Sequence, residues 1–194
     1  MNYSDINTPS ELLEYMKDNI HYGFVDDEGK KHGPWNNEEF QNTCRISWHL
    51  SSPLRLLKVK YGHCFDQVEL ERYWFKKHGY DFKTFFIMFL LPYDNAYSTH
   101  TYLVYEENGK YYYFEHSDYN NLGIYEFMSL EDAINYQKKK HIENNQKTND
   151  INDEVLKKIK VFEYDEPLYN ISMSDFIDYI LENGKEVNIT NKNY

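Results

Sequence analysis

The sequence predicts an α+β fold with an antiparallel sheet, on three observations. Helix-period segments run through residues 9–77, an apolar run suited to a buried strand follows at KTFFIMFLL, and Asn108-Gly109 then sits between two aromatic and β-branched runs. Asn-Gly in that setting is the strongest short-range signal for a two-residue hairpin. Helices first and strands afterwards argue segregated α and β layers rather than βαβ units.

The elements follow in order. PSELLEYMKDNI reads as a helix with Ser10 as its N-cap and Leu12, Leu13 and Met16 on one face. HYGFVDDEGKKHGPW, residues 21–35, is rich in glycine and charge and reads as loop. EEFQNTCRISWHL is helical and stops near Ser51-Ser52-Pro53, and Gly62 breaks the pattern of PLRLLKVKYGHC just before Cys64. From Cys64 to Lys77 no Gly or Pro interrupts the helical period. Val68, Leu70, Trp74 and Phe75 form an apolar arc with Cys64 near its middle, and Asp66, Glu69, Arg72, Lys76 and Lys77 form the expected wet side. Glu71 falls inside the apolar arc, and Gly79 closes the helix. The strand and the hairpin HTYLVYEENGKYYYFEH come next. SLEDAINYQKKKHIENNQ is a helix capped by Ser129, NNQKTNDINDE a polar loop, VFEYDEP one more strand, and SMSDFIDYILENGKE a final amphipathic helix closed by Gly184.

A chain of 194 residues suits one domain. The 20 Tyr and 12 Phe supply ample core, and Tyr can also line a groove. A net charge of −11 repels a phosphate backbone, and the densest basic run, Lys138-Lys139-Lys140, lies beside acids in a solvated helix, so nucleic acid is not expected as a partner. The longest apolar run, Phe85 to Pro92, is too short to span a bilayer, and MNYSDINTPS has neither a basic nor an apolar leader region. Two cysteines, Cys44 and Cys64, make no disulfide framework. A cytoplasmic protein without a membrane partner is the expectation.

Cys64 is the residue that carries chemistry. A cysteine nucleophile needs a thiolate, a base, and a group that orients the base. The first turn of a helix favours negative sulfur through its unpaired N–H groups and dipole, which can also serve an oxyanion. His100 opens the first hairpin strand. With Asn108-Gly109 as the turn, Glu107 faces Lys110, Tyr102 lies opposite Glu115 and His100 opposite Ser117. His100, Tyr102, Tyr113 and Glu115 then share one face, and His100 and Glu115 become diagonal neighbours roughly 7–8 Å apart. His116 and Asp118 take the opposite face. Glu115 is therefore the carboxylate placed to order the His100 ring.

The segments YGHCFDQVELERYWFKKHGY and THTYLVYEENGKYYYFEHS, with ELLEYMKDNIHYGF before them, resemble the transglutaminase-like superfamily over about residues 10–120. The resemblance implies a papain-like α+β fold in which the helix bearing the nucleophile packs on the sheet. By match of motif it implies a triad of Cys64 as nucleophile, His100 as base and Glu115 as orienter, with no cofactor. Residues 121–194 form a C-terminal extension, expected to be helical, outside the resemblance. Glu115 stands where the family usually has Asp, and His116-Ser117 replace its usual Pro-Thr. Trp48 and His49 are candidates for an oxyanion donor by proximity of segment.

The resemblance implies acyl chemistry on an amide or peptide-like substrate, by a peptidase, an amidase or an acyltransferase. The alternative is an inactive module of the same fold that binds a peptide or protein. Cys44 reads as core; His63 either tunes the thiolate or faces water, and facing water is the expectation. Zinc at Cys64, His63, His100 and His116 lacks CxxC or HxxxH spacing, and the register separates His100 from His116. The EENG turn and the DDEG loop lack the alternating ligands of a calcium site.

Overall fold

The computed structural model describes residues 2–34, 37–91 and 97–188, without the side chains of 37–39, 41 and 42. Trp35, at the end of the expected loop, and Pro92, at the end of the apolar run, lie outside the described residues. Helix α1 spans Pro9–Asn19. Its cap is Thr8 rather than Ser10. The Thr8 hydroxyl accepts from Glu11 N at 3.3 Å, and Glu11 Oε2 accepts from Thr8 N at 3.0 Å. Pro9 suits the first helical position because it has no N–H to satisfy, which moves the cap out in front of it.

The stretch expected as loop holds three short strands, β1 (His21–Tyr22), β2 (Phe24–Val25) and β3 (Lys31–His32), with β2 and β3 antiparallel. Asp26 organises the turn between them, accepting from Lys30 N at 2.8 Å and binding His32 Nε2 at 2.7 Å. One internal acceptor thus orders a segment whose composition reads as irregular. Helix α2 covers Asn37–Ser47, and α3 covers Pro53–Val59, capped by Ser52 and stopped at Lys60 in the left-handed conformation (φ 66°). Strand β4 (Tyr61–Gly62) pairs in parallel with β1 and leads directly into α4 (Cys64–Lys77).

The expected wet side of α4 is largely dry. Asp66, Glu69 and Arg72 are buried, while Lys76 and Lys77 are exposed. Arg72 Nε donates to Glu69 Oε2 at 2.9 Å, and its Nη2 donates to Thr84 Oγ1 at 2.5 Å. The Thr84 hydroxyl donates to Tyr164 O at 2.7 Å. Sequence period sees polar side chains and reads solvent. Here the polar atoms find partners inside, which is what makes their burial tolerable.

Strands β5 (Asp81–Phe89), β6 (His100–Glu107), β7 (Lys110–Glu115) and β8 (Gly123–Phe127) precede helices α5 (Leu130–Gln146) and α6 (Asp153–Leu156), and β9 (Ile159–Glu163), α7 (Met173–Asn183) and β10 (Lys185–Glu186) follow. The sheet runs β10-β9-β5-β6-β7-β8 with every pair antiparallel. Residues 121–194, expected as a helical extension with one strand at VFEYDEP, supply that strand as β9 and also β8 and β10, and β9 pairs along the outer edge of β5. That second partner buries β5 from both edges, in keeping with its continuous apolar run. The hairpin turn forms at Asn108 (φ 53°) and Gly109 (φ 74°), and the pairing Glu107↔Lys110 through Leu103↔Phe114 keeps the expected register.

Helices cover both faces of the sheet. Phe86, Leu103, Tyr105 and Phe114 pack with Phe65 and Phe75 of α4 and Phe176 of α7. Phe85, Ile87, Tyr102, Val104 and Tyr113 pack with Ala133 and Ile134 of α5 on the other side. Among the described residues no helix is long and apolar enough to cross a membrane.

Candidate active site

The junction between β4 and α4 positions the sulfur. A Cβ on Gly62 would stand 2.7 Å from Leu56 Cδ1 and 3.0 Å from Asp66 Cβ, so only glycine lets α3 and the first turn of α4 approach this closely. Asp66 then anchors that turn. Its Oδ2 accepts from His63 N at 2.7 Å and from Trp48 Nε1 at 2.8 Å, and its Oδ1 from Ser51 N at 2.6 Å. Burial pushes Asp66 up to about 6 in spite of these donors. Gln67 donates to Gly62 O at 2.9 Å and binds His116 Nδ1 at 2.6 Å, joining α4 to the residue after β7. The indole N–H of Trp48 is thus committed to Asp66, and His49 forms a β-bridge with Ser172. The backbone N–H groups of the first turn of α4 are the donors that helix geometry leaves for an oxyanion.

Cys64 is the first residue of α4 and is 2% exposed. Burial alone would raise its pKa. The imidazoles of His63 and His100 overcome that and hold the thiol down at about 5. The contact with regular hydrogen-bond geometry is to His63 Nδ1, at 3.3 Å from Sγ. His100 acts on the sulfur both as a hydrogen-bonding partner and as a charge. Cys44 shows the contrast: it too is buried, and burial pushes its thiol up to about 12.

His100 Nε2 lies 2.7 Å from Glu115 Oε2. Burial works against a charged ring, yet Glu115 and the Cys64 sulfur lift the His100 pKa well above its ordinary value. Glu115 is 2% exposed and fully engaged: Oε2 also accepts from the Tyr113 hydroxyl, and Oε1 accepts from Ser117 Oγ at 3.1 Å and Asp118 N at 2.8 Å. Burial raises its pKa, but His100 and these donors leave it below the usual carboxylate range. The hairpin register predicts this side-by-side placement. Alternation puts His100 and Glu115 on the α5 face, whereas Cys64 rides on the helix of the opposite face. The two meet at the first residue of β6, where the sheet ends and no longer separates its two sides.

His63 departs from expectation. It does not face water: Nε2 lies 3.0 Å from the Tyr22 hydroxyl, and the ring stands 5.0 Å from the rings of Tyr22 and Phe65 and 6.2 Å from Trp48. Its adjacency to the nucleophile at a helix cap was visible in the sequence, but its direction depended on the aromatic cage. His116 stands apart from His63 and His100, with Nδ1 on Gln67 and its pKa pushed down to about 4 by burial. Among the described residues no group of three or more His, Cys, Asp or Glu is arranged to hold a metal ion.

Glu71 acquires a physical account. It is buried, its Oε2 has no hydrogen-bond partner among the described residues, and burial together with the nearby Glu115 charge pushes its pKa well above the usual carboxylate range. A neutral carboxylic acid is compatible with the apolar arc where a carboxylate is not. Compared with known proteins, the chain matches no family and no curated sequence.

Proposed function

We propose that this chain is a cysteine enzyme of transglutaminase-like, papain-like fold, acting on an amide or peptide-like acyl group in a reducing, cytoplasmic setting. The observation that carries the reading is the His100 ring, whose Nε2 lies 2.7 Å from Glu115 Oε2 and whose charge helps hold the Cys64 thiol down. In this reading the Cys64 thiolate attacks the carbonyl carbon, forming a C–S bond while the π pair moves onto oxygen. Collapse breaks the C–N bond, and the departing amine takes the proton of the His100 ring. Water or a second amine then attacks the thioester, gives its proton back to His100, and the electron pair of the C–S bond returns to sulfur. Glu115 holds the tautomer and supports the imidazolium. Water makes the enzyme a hydrolase and an amine makes it an acyltransferase; no cofactor takes part.

A second reading, an inactive module that binds a peptide or protein, is favoured by one observation: Cys64 and Glu115 are each 2% exposed, so a substrate carbonyl reaches the sulfur only after a covering group moves. Iodoacetamide labelling at neutral pH separates the readings. An activated Cys64 is alkylated at least about a hundredfold faster than Cys44, given thiol pKa values near 5 and 12. Equal labelling, or a Cys64→Ala variant that retains every cellular effect, favours the binding module.

A further inference from the structure

We propose that His63 is a second catalytic imidazole, the resident partner of the Cys64 sulfur, and that His100 is thereby left to serve the departing amine and the incoming nucleophile. The inference rests on the acyl-transfer reading above.

Four features hold His63 to the sulfur. Its backbone is fixed on both sides, His63 N donating to Asp66 Oδ2 at 2.7 Å and His63 O accepting from Gln67 N at 3.0 Å. Its Nδ1 stands 3.3 Å from Sγ. Its Nε2 meets the Tyr22 hydroxyl at 3.0 Å, an oxygen able to accept from a protonated ring. The tilted rings of Tyr22 and Phe65, each 5.0 Å away, and of Trp48 at 6.2 Å flank the half-buried imidazole with aromatic surface.

The charges close. The groups around the sulfur are Tyr22 on β1, Cys44 on α2, Glu71 on α4, His100 on β6 and Tyr164 after β9. Tyr22, Cys44, Glu71 and Tyr164 are all held in their neutral forms by burial. Around His63 the charged groups are Cys64, Asp66 and His100. The cations acting on the sulfur are therefore the two imidazoles, in the sequence Glu115 (−), His100 (+), Cys64 (−), His63 (+). One imidazolium faces Glu115 and the other faces the thiolate, with the Asp66 carboxyl, raised to about 6 by burial, as a further anion beside His63 above that pH. When the thioester forms, His100 gives its proton to the amine and its pair with Glu115 becomes a neutral base beside a carboxylate. His63 keeps its proton. On deacylation the nucleophile's proton returns to His100, and the electron pair returning to sulfur arrives opposite the His63 cation. No external oxidant or reductant is needed.

The test follows the alkylation rate of Cys64 by iodoacetamide from pH 4 to 10, with thiolate absorbance near 240 nm as a second readout. Wild type should show a midpoint near 5. His63→Gln should raise that midpoint by about one unit or more, a roughly fivefold or larger loss of thiolate at pH 5. His100→Gln should leave part of the depression in place, and the double variant should remove it. Tyr22→Phe, which deletes one hydroxyl and keeps the packing, should shift the midpoint the same way by less. With p-nitrophenyl acetate as acyl probe, loss of the acetyl mass from Cys64 should be about tenfold slower or more in His63→Gln than in wild type. The inference is overturned if His63→Gln and Tyr22→Phe leave the midpoint unmoved while His100→Gln accounts for all of it, or if deacetylation is unchanged. A low wild-type midpoint that His63→Gln raises, with no acyl amide turned over, would instead overturn the enzyme and retain the thiolate–His63 pair.

Discussion

Replacing Glu115 by Gln keeps the side-chain volume and removes one charge, and the surroundings of the carboxylate set the consequence. All four of its neighbours are donors: His100 Nε2 and the Tyr113 hydroxyl on Oε2, the Ser117 hydroxyl and Asp118 N on Oε1. An amide has one oxygen to offer them. If its NH2 end replaces Oε1, it meets the Asp118 N–H, which cannot turn to accept. If it replaces Oε2, it forces the His100 proton onto Nδ1, the nitrogen that should face the sulfur. At an effective dielectric near 20, two unit charges about 4 Å apart interact by ~4 kcal/mol, or about three pKa units of support for the imidazolium. The pH profile of Cys64 alkylation should therefore shift upward, with the rate at pH 6 falling by about 10- to 100-fold. On any acyl substrate found, kcat should fall by about 10²–10⁴-fold with KM little changed. A variant with wild-type alkylation at pH 6 and wild-type kcat would refute the role given to Glu115, since among the described residues no other carboxylate is placed to replace it at 2.7 Å from the ring.

Three further outcomes follow from the packing. Arg72→Ala strands Glu69 in the core and should cost about 3–5 kcal/mol in urea titration, while Arg72→Met with Glu69→Leu should recover most of it. Gly62→Ala drives a methyl against Leu56 Cδ1 and should cost about 1–3 kcal/mol, with slower Cys64 alkylation; Leu56→Ala in the same chain should restore part of both. His116 is lowered from 6.5 to about 4, so the unfolded chain takes up its proton first as pH falls, and stability present above pH 6.5 is lost down to about pH 4. That limb is worth about 3 kcal/mol, and His116→Gln should flatten it in thermal melts across that range.

The local determinants of this protein are legible in its sequence. Asn108-Gly109 specifies the hairpin and, through its index sum, the neighbourhood of His100 and Glu115, because an antiparallel register propagates without tertiary help. The start of α4 at Cys64 and the cap at Ser129 are likewise properties of short segments. Thr8 was missed because a proline at the first helical position displaces the cap, which a search for the nearest serine overlooks.

The tertiary structure alone decided what was far apart in the chain. Period analysis assigned Asp66, Glu69 and Arg72 to solvent because it knows one face of a helix, whereas α4 is covered on several sides and its polar atoms are satisfied by Trp48, Ser51, Thr84 and Tyr164. The entry of β9 beside β5 closes a strand pair at least 70 residues apart, and no local pattern encodes such a pairing. His63 could be placed beside the nucleophile from sequence, but its ring was turned onto the sulfur by Tyr22, Phe65 and Trp48, which arrive from distant segments. Short-range hydrogen bonding and alternation are written residue by residue; burial and charge balance are properties of the assembled interior.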